Sequence, residues 1–247
     1  MTLVSKLILK HWNRLSRSLS RQYREWRLPC GYLRLGTRYG GWWINSQILS
    51  ASPLLIDCGL GEDLSFPAAF LGRFGGKALG VEPNPRSLDY CYRHLPMSMD
   101  MLPAALWKRA GDRLTFHLPR DQSLLPPGAD GVSGSLLASH EYVGGGMTLA
   151  VETINLDGLL RHAKQPECDV LKLDIEGAEY EVLADLCLTG QLRRTRQLLV
   201  EFHHRVTQHT IEDTIKTVAE VTAAGFTLVH VEGRNHVFSR NSEATGR

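Results

Sequence analysis

From Pro53 onward, short apolar runs alternate with amphipathic stretches, and four of the runs end in an acid. Leu54-Leu55-Ile56 leads into Asp57, Ala78-Leu79-Gly80-Val81 into Glu82, Val170-Leu171-Lys172-Leu173 into Asp174, and Gln197-Leu198-Leu199-Val200 into Glu201. Alternation of this kind predicts an α/β domain around a mainly parallel sheet. In open parallel sheets, ligands bind beyond the carboxyl ends of the strands. One terminal acid is commonly just a helix N-cap. Four on the same edge, with a glycine turn after the first, point to a site.

The patterning between these runs predicts helices over 62–74, 86–94, 156–163, 178–188 and 210–223. Further strands are expected over 101–106, 114–118, 147–154, 226–231 and 236–239. Short strands around Gly36, Gly40 and Gly41 precede them, with one ring of Trp42-Trp43 expected in the core. Residues 121–146 are rich in Gly, Pro and Ser and read as a connector. At 247 residues and 43% hydrophobic, the chain can bury a large core without staples. Five scattered cysteines without a CxxC pair indicate reduced thiols in a cytoplasmic protein, Cys58 and Cys168 among them as core residues.

Residues 1–28 stand apart from a second unit over 29–247. Val4, Ile8, Trp12, Leu15, Leu19, Tyr23 and Trp26 trace one helical face, while seven Lys or Arg residues oppose Glu25 alone in the first 27. This predicts an N-terminal amphipathic basic helix. Two seats stay open for it: the body or a second subunit of a homo-oligomer, and peripheral contact through residues 1–27 with an anionic inner membrane face. Nothing in the composition suggests a nucleic-acid partner.

The turn after the first strand is Asp57-Cys58-Gly59-Leu60-Gly61-Glu62-Asp63. Its glycines allow a tight turn and close approach of a ligand to the backbone. Glu82 follows Gly61 at the spacing where an acid accepts ribose hydroxyls. The third glycine of a dinucleotide loop is replaced by Leu64, and Glu62 and Asp63 would repel a pyrophosphate from the helix start. A nucleoside ligand without phosphate fits better. S-adenosyl-L-methionine is such a ligand, and its cationic groups favour an acidic pocket.

The chain resembles the FkbM-type S-adenosylmethionine-dependent methyltransferases. The resemblance rests on Leu54-Leu55-Ile56-Asp57-Cys58-Gly59, Val81-Glu82-Pro83-Asn84-Pro85, Thr153-Ile154-Asn155-Leu156-Asp157 and Leu171-Lys172-Leu173-Asp174-Ile175-Glu176-Gly177-Ala178-Glu179. It implies a Rossmann-like class I methyltransferase fold, a mainly parallel seven-stranded sheet with helices on both faces. It also implies methyl transfer, usually to oxygen. Asp57, Gly59 and Gly61 would form the cofactor loop. Glu82 would hold the ribose, with Pro83 and Asn84 shaping its turn. Ala105 and Leu106 would border the adenine, and Asp174 would lie at the methionine end. The first loop departs from the family's usual D-x-G-A-N-x-G, which leaves the cofactor contacts of Glu62 and Asp63 open. The acceptor expected by resemblance is a hydroxyl on a small molecule or glycan.

An alcohol acceptor needs a base. Asp174, Glu176 and, in the run after the next strand, Glu201 and His203 are the candidates, with His203 preferred because an ordinary imidazole accepts a proton near neutrality. Asp174, Glu176, Glu179, Glu201 and His203 would also suit an oxygen-rich metal site. Because acids at a helix start stabilise the dipole unaided, no metal ligand is assigned. A nicotinamide oxidoreductase and a non-catalytic cofactor-binding module remain the rival readings.

Overall fold

A computed structural model describes residues 28–125 and 131–241. The predicted N-terminal helix falls outside the described residues. Among the described residues no helix is long and apolar enough to cross a membrane.

The described residues open with a hairpin, β1 (Tyr32–Leu35) and β2 (Trp42–Asn45). They continue through β3 (Leu54–Cys58), α1 (Ser65–Phe74), β4 (Lys77–Val81), α2 (Pro85–His94) and β5 (Met99–Leu102). After β6 (Ala105–Leu106), β7 (Arg113–Pro119) and β8 (Val143–Ile154) come α3 (Leu156–Ala163), β9 (Cys168–Leu173) and α4 (Glu179–Leu188). The chain ends with β10 (Thr195–Glu201), α5 (Ile211–Ala223), β11 (Phe226–Glu232) and β12 (Asn235–Arg240). Seven strands form one sheet in the order β11-β12-β10-β9-β3-β4-β5. The pairs β10–β9, β9–β3, β3–β4 and β4–β5 are parallel, while β12 runs against both its neighbours.

The central strands read as continuous apolar runs because both faces of the sheet are covered. Leu54, Ile56 and Cys58 face the layer holding Leu156, Leu159 and Leu160 of α3, Val182, Leu183 and Leu186 of α4, and Val221 of α5. Leu55 faces the other way, toward Phe66 and Phe70 of α1, Cys91 of α2, and Trp42 and Ile44 of the hairpin. Trp42 is buried and Trp43 half-buried, its ring edge-on to His230. Cys58 and Cys168 are both core residues.

Three expectations need correction. The first helix starts at Ser65, not residue 62, because Gly61 sits at positive φ and the Asp63 carboxylate accepts from Ser65 N. The strand expected over 101–106 breaks in two at Pro103, which has no N–H for a ladder. The 121–146 stretch is not a plain connector. Its end forms the start of β8, and Ser135 and His140 are buried.

On β12 the His236 imidazole lies edge-on to Phe202, and its Nδ1 is 2.9 Å from Arg234 O. Burial, assisted by the nearby His204, depresses it to about 4. A histidine kept neutral by the fold stabilises it above the unfolded value near 6.5, and that contribution is lost as pH falls through the folded value. The midpoint of thermal unfolding should therefore fall between pH 6.5 and 4, and His236→Phe should flatten that part of the profile. An unaltered profile in the variant would remove His236 as the source.

Candidate active site

The parallel register sets Asp57 of β3 beside Lys172 of β9. Lys172 is the one cation within its buried strand, which also carries Asp169, and spans the gap between strand ends. Its Nζ lies 2.8 Å from Asp57 Oδ1, donates to Gly59 O at 2.6 Å and stands 3.7 Å from Asp174 Oδ2. Burial opposes the ammonium charge, but Asp57 and Asp174 hold its pKa above the usual lysine value. Burial also raises the Asp57 carboxyl, and Lys172 partly offsets this. The glycine turn is thus tied by one buried cation to the two acids that flank it.

Gly59 has φ +79°, and a Cβ there would lie 1.7 Å from the carbonyl oxygen of Asp174. Glycine is required twice, for the dihedral and for the close approach of the β3 and β9 ends. Glu82, at the end of β4, closes the turn from the other side. Its Oε2 accepts from Leu60 N and Gly61 N at 3.0 and 3.1 Å, and its Oε1 accepts from Asn84 N at 2.8 Å. Burial raises the Glu82 carboxyl, and the three backbone donors oppose that shift.

Beyond this edge lies a cavity of about 540 Å³, within the usual range for small-molecule sites. Gly59, Gly61, Glu62, Asp63, Glu82, Pro83, Ala105, Leu106 and Asp174 line it. Thr37 and Tyr39 of the hairpin tip, Ser133 and Gly134 of the long connection, and Glu176 complete much of the wall. One end is apolar, with Ala105, Leu106 and Phe116; the other carries Asp174 and Glu176.

Four expected site residues do not line the cavity. Asp57 lies beneath the turn and acts through Lys172. Asn84 caps α2, its Oδ1 accepting from Arg86 N, while its Nδ2 donates to Val132 O and holds the connection against the site. Glu201 pairs with Arg234. His203 is 2% exposed and sits behind the acids. The carboxylates of Glu62 and Asp63 have structural partners. Glu62 pairs with Arg86 at 2.8 Å, while Asp63 accepts from Thr37 Oγ1 at 2.8 Å and fastens the hairpin to the turn.

The role expected for His203 needs correction. Its Nδ1 lies 3.1 Å from Glu179 Oε1, and that same oxygen accepts from the His203 backbone N–H at 2.8 Å. Its Nε2 lies 3.2 Å from Glu176 Oε2 and 3.6 Å from Asp174 Oδ1. Burial would lower this imidazole, but Glu176, Glu179 and Asp174 outweigh it and raise the group to about 10. A ring held among three carboxylates that favour its protonated form, and not itself lining the cavity, is poorly placed to collect an acceptor's proton.

The carboxylates around it diverge. Burial and the charge of Glu201 push Asp174 up to about 8. Glu176 is also buried, yet His203 and the His140 hydrogen bond pull it down to about 2. His140 is oriented by Tyr142 N donating to its Nδ1, so its Nε2–H donates to Glu176 Oε2 at 2.8 Å. Ser135 Oγ donates to Glu176 O at 2.6 Å. Sequence reasoning missed Lys172, His140 and Ser135 as site residues. Only Lys172 left a signal, a lone cation inside a buried apolar strand.

The reversed strand β12 inserted next to the sheet edge, the glycine turn and the acid-ended parallel strands around one cavity define a class I S-adenosylmethionine-dependent methyltransferase domain. The methyltransferase FkbM domain matches residues 57–228, and the chain belongs to that family. Its cofactor is therefore S-adenosylmethionine, which sets aside the nicotinamide reading. Among curated protein sequences none matches the chain. Solved structures of similar fold include the METTL16 methyltransferase domain, at 12% identity and TM-score 0.42. That alignment covers 76% of this chain, which spans 59% of the METTL16 domain. A TehB-like methyltransferase from Corynebacterium glutamicum is 11% identical at TM-score 0.37, covering 96% of this chain and 98% of its own. TrmK of M. capricolum with S-adenosyl-homocysteine is 7% identical at TM-score 0.34, covering 81% and 68%.

The cavity fits this cofactor on its own chemistry. Gly59 and Gly61 expose backbone at the rim, and Glu82 keeps acceptor capacity beside it, since a carboxylate has about four lone-pair sites. The wall at Ala105 and Leu106 is apolar enough for a base. The opposite end is anionic, as the ammonium and sulfonium groups require.

Proposed function

We propose that the protein methylates a hydroxyl oxygen of a sugar, glycan, glycolipid or secondary-metabolite acceptor. The observation that carries this reading is the Asp174 carboxylate. It lines the cavity at the anionic end and accepts no hydrogen bond from the described residues. A hydroxyl group donates its proton to such an acceptor and keeps an oxygen lone pair for the incoming carbon.

Bound S-adenosylmethionine supplies an activated methyl group for in-line transfer. The chain's own residues position it. Glu82 and the backbone of the glycine turn hold the ribose side, Ala105 and Leu106 the base, and Asp174 the acceptor hydroxyl. Lys172 keeps Asp174 and Gly59 in fixed relation. Holding the reactants in line supplies a large part of such a rate, on the order of 7–11 kcal/mol in favourable cases. Asp174 holds the acceptor hydroxyl by a hydrogen bond and, in its ionised form, takes the proton as the C–O bond replaces the S–CH3 bond.

The test is product analysis with methyl-labelled cofactor. The product should carry an O–CH3 group by carbon NMR. Asp174→Asn should lower kcat at saturating S-adenosylmethionine by roughly 10²-fold or more. A product methylated on nitrogen or carbon would overturn the oxygen assignment. A folded Asp174→Asn protein with wild-type turnover would overturn the role of the carboxylate.

A further inference from the structure

Asp174, Glu176 and His203 each offer one ligand atom, and these atoms lie within 4.8 Å of one another. We propose that they form a divalent-cation site, of the borderline-hard Mn²⁺ class, at the anionic end of the cavity. The sequence reading gave these acids to the helix dipole. The structure instead turns Glu179 inward, where it is fully buried against His203 and Gly177 N.

The imidazole makes this more than a group of acids. His203 is 98% shielded from solvent. Its Nε2 is aimed into the cluster, 3.2 Å from Glu176 Oε2 and 3.6 Å from Asp174 Oδ1. Its Nδ1 is tied to the Glu179 carboxylate at 3.1 Å. That is the usual arrangement of a metal-ligating histidine, whose second ring nitrogen donates to a carboxylate and so fixes ring and tautomer. Glu176 Oε2, the oxygen facing His203, also accepts from His140 Nε2–H at 2.8 Å, which fixes its orientation. Asp174 accepts no hydrogen bond among the described residues.

The spacing agrees. An octahedral ion with bonds of about 2.1 Å sets neighbouring ligand atoms about 3.0 Å apart. His203 Nε2 lies 3.2 Å from Glu176 Oε2 and 3.6 Å from Asp174 Oδ1, so small side-chain shifts complete the set. Charge agrees as well. Asp174, Glu176, Glu179 and Glu201 surround the His203 imidazole, and the basic side chains paired with them are His140 on Glu176, Arg234 on Glu201 and Lys172 between Asp174 and Asp57. Two carboxylates and one imidazole suit Mn²⁺ better than a soft ion. Asp174 and Glu176 both line the cavity, so the open positions face the acceptor. Resting on the hydroxyl-acceptor reading above, the ion would take oxygens of an acceptor with adjacent hydroxyl groups. The ion takes the place of a proton on Nε2, and His203 is no base in either state.

The experiment is titration of the chelator-treated full chain with Mn²⁺ alone, followed by electron paramagnetic resonance of the free ion. Wild type should bind one Mn²⁺ per chain, and both Asp174→Asn and His203→Gln should weaken binding at least tenfold. Glu181→Gln, outside the cluster, should leave it unchanged. Circular dichroism and S-adenosylhomocysteine binding show that each variant is folded. If His203→Gln does not fold, Asp174→Asn decides alone. The absence of saturable Mn²⁺ binding by wild type overturns the site, as does unchanged affinity in the folded variants. Failure of the hydroxyl-acceptor reading would show in the methylated product and leave the Mn²⁺ titration untouched.

Discussion

Gly59→Ala is expected to abolish measurable S-adenosylmethionine binding. The residue sits at φ +79°, and the added Cβ would lie 1.7 Å from the Asp174 carbonyl oxygen. A backbone atom cannot rotate away as a side chain can, so the ends of β3 and β9 must separate or the turn must refold. Either change disturbs the loop whose Leu60 and Gly61 amides hold Glu82. A loss of 100-fold or more in affinity is expected, about 2.7 kcal/mol, together with a lowered melting temperature. Gly61→Ala is the useful contrast. Its Cβ would meet only the Val132 side chain, at 3.5 Å, and φ is +55°. The left-handed strain alone costs roughly 1–2 kcal/mol, so the effect should be milder. Equal affinities for Gly59→Ala and wild type would mean that the turn is not the cofactor loop.

Lys172→Met should be the most destabilising single change at the site. It leaves Asp57, 1% exposed, as a buried carboxylate without its cation. Breaking a buried pair in this way costs about 3–5 kcal/mol, a large part of a typical stability of roughly 5–15 kcal/mol. Chemical denaturation would measure it. Adding Asp57→Asn should recover at least half of the loss, because the uncompensated charge is then gone. Recovery of that size is the coupling expected of residues in contact. A loss under about 1 kcal/mol for Lys172→Met, the scale of an exposed pair, would show that the ammonium does not hold the strand ends together.

The strands and helices of the sheet were legible wherever one physical signal dominated. The run Val170-Leu171-Lys172-Leu173 is apolar because both faces of β9 are covered. Helix α3 begins where Asn155 caps it, the side chain accepting from Gly158 N. The four strand-end acids do share one edge, as parallel strands require. What the pattern could not show is which way each acid turns. Asp174 reaches the cavity, Asp57 reaches under it to a lysine, Glu201 reaches an arginine, and Glu82 closes a loop. Those directions depend on partners remote in sequence. His203 was misread for the same reason. Its ordinary titration near neutrality holds only for a lone imidazole, whereas three carboxylates from the α4 region and the end of β9 converge on this one. His140 and Ser135 lie in a glycine- and serine-rich stretch with no periodicity. Only the fold brings them behind Glu176. The glycines at the start of β8 gave no strand signal, since glycine is a poor strand former; they fall in an irregular stretch of the register, bracketed by the Pro119–Val143 and His117–Thr148 pairs with β7.

Glu82 joins the turn, the cofactor and the fold in one side chain, and its replacement tests the account most directly. The measurement is calorimetric titration of S-adenosylmethionine into wild type and Glu82→Ala, with circular dichroism to confirm folding. Wild type should bind in the micromolar range, about −8 kcal/mol. Glu82→Ala should bind more weakly by roughly 1.5–3 kcal/mol, the scale of hydrogen bonds to a charged group. Unchanged affinity in a folded Glu82→Ala protein, or no binding by wild type, would contradict the assignment of this cavity to the cofactor.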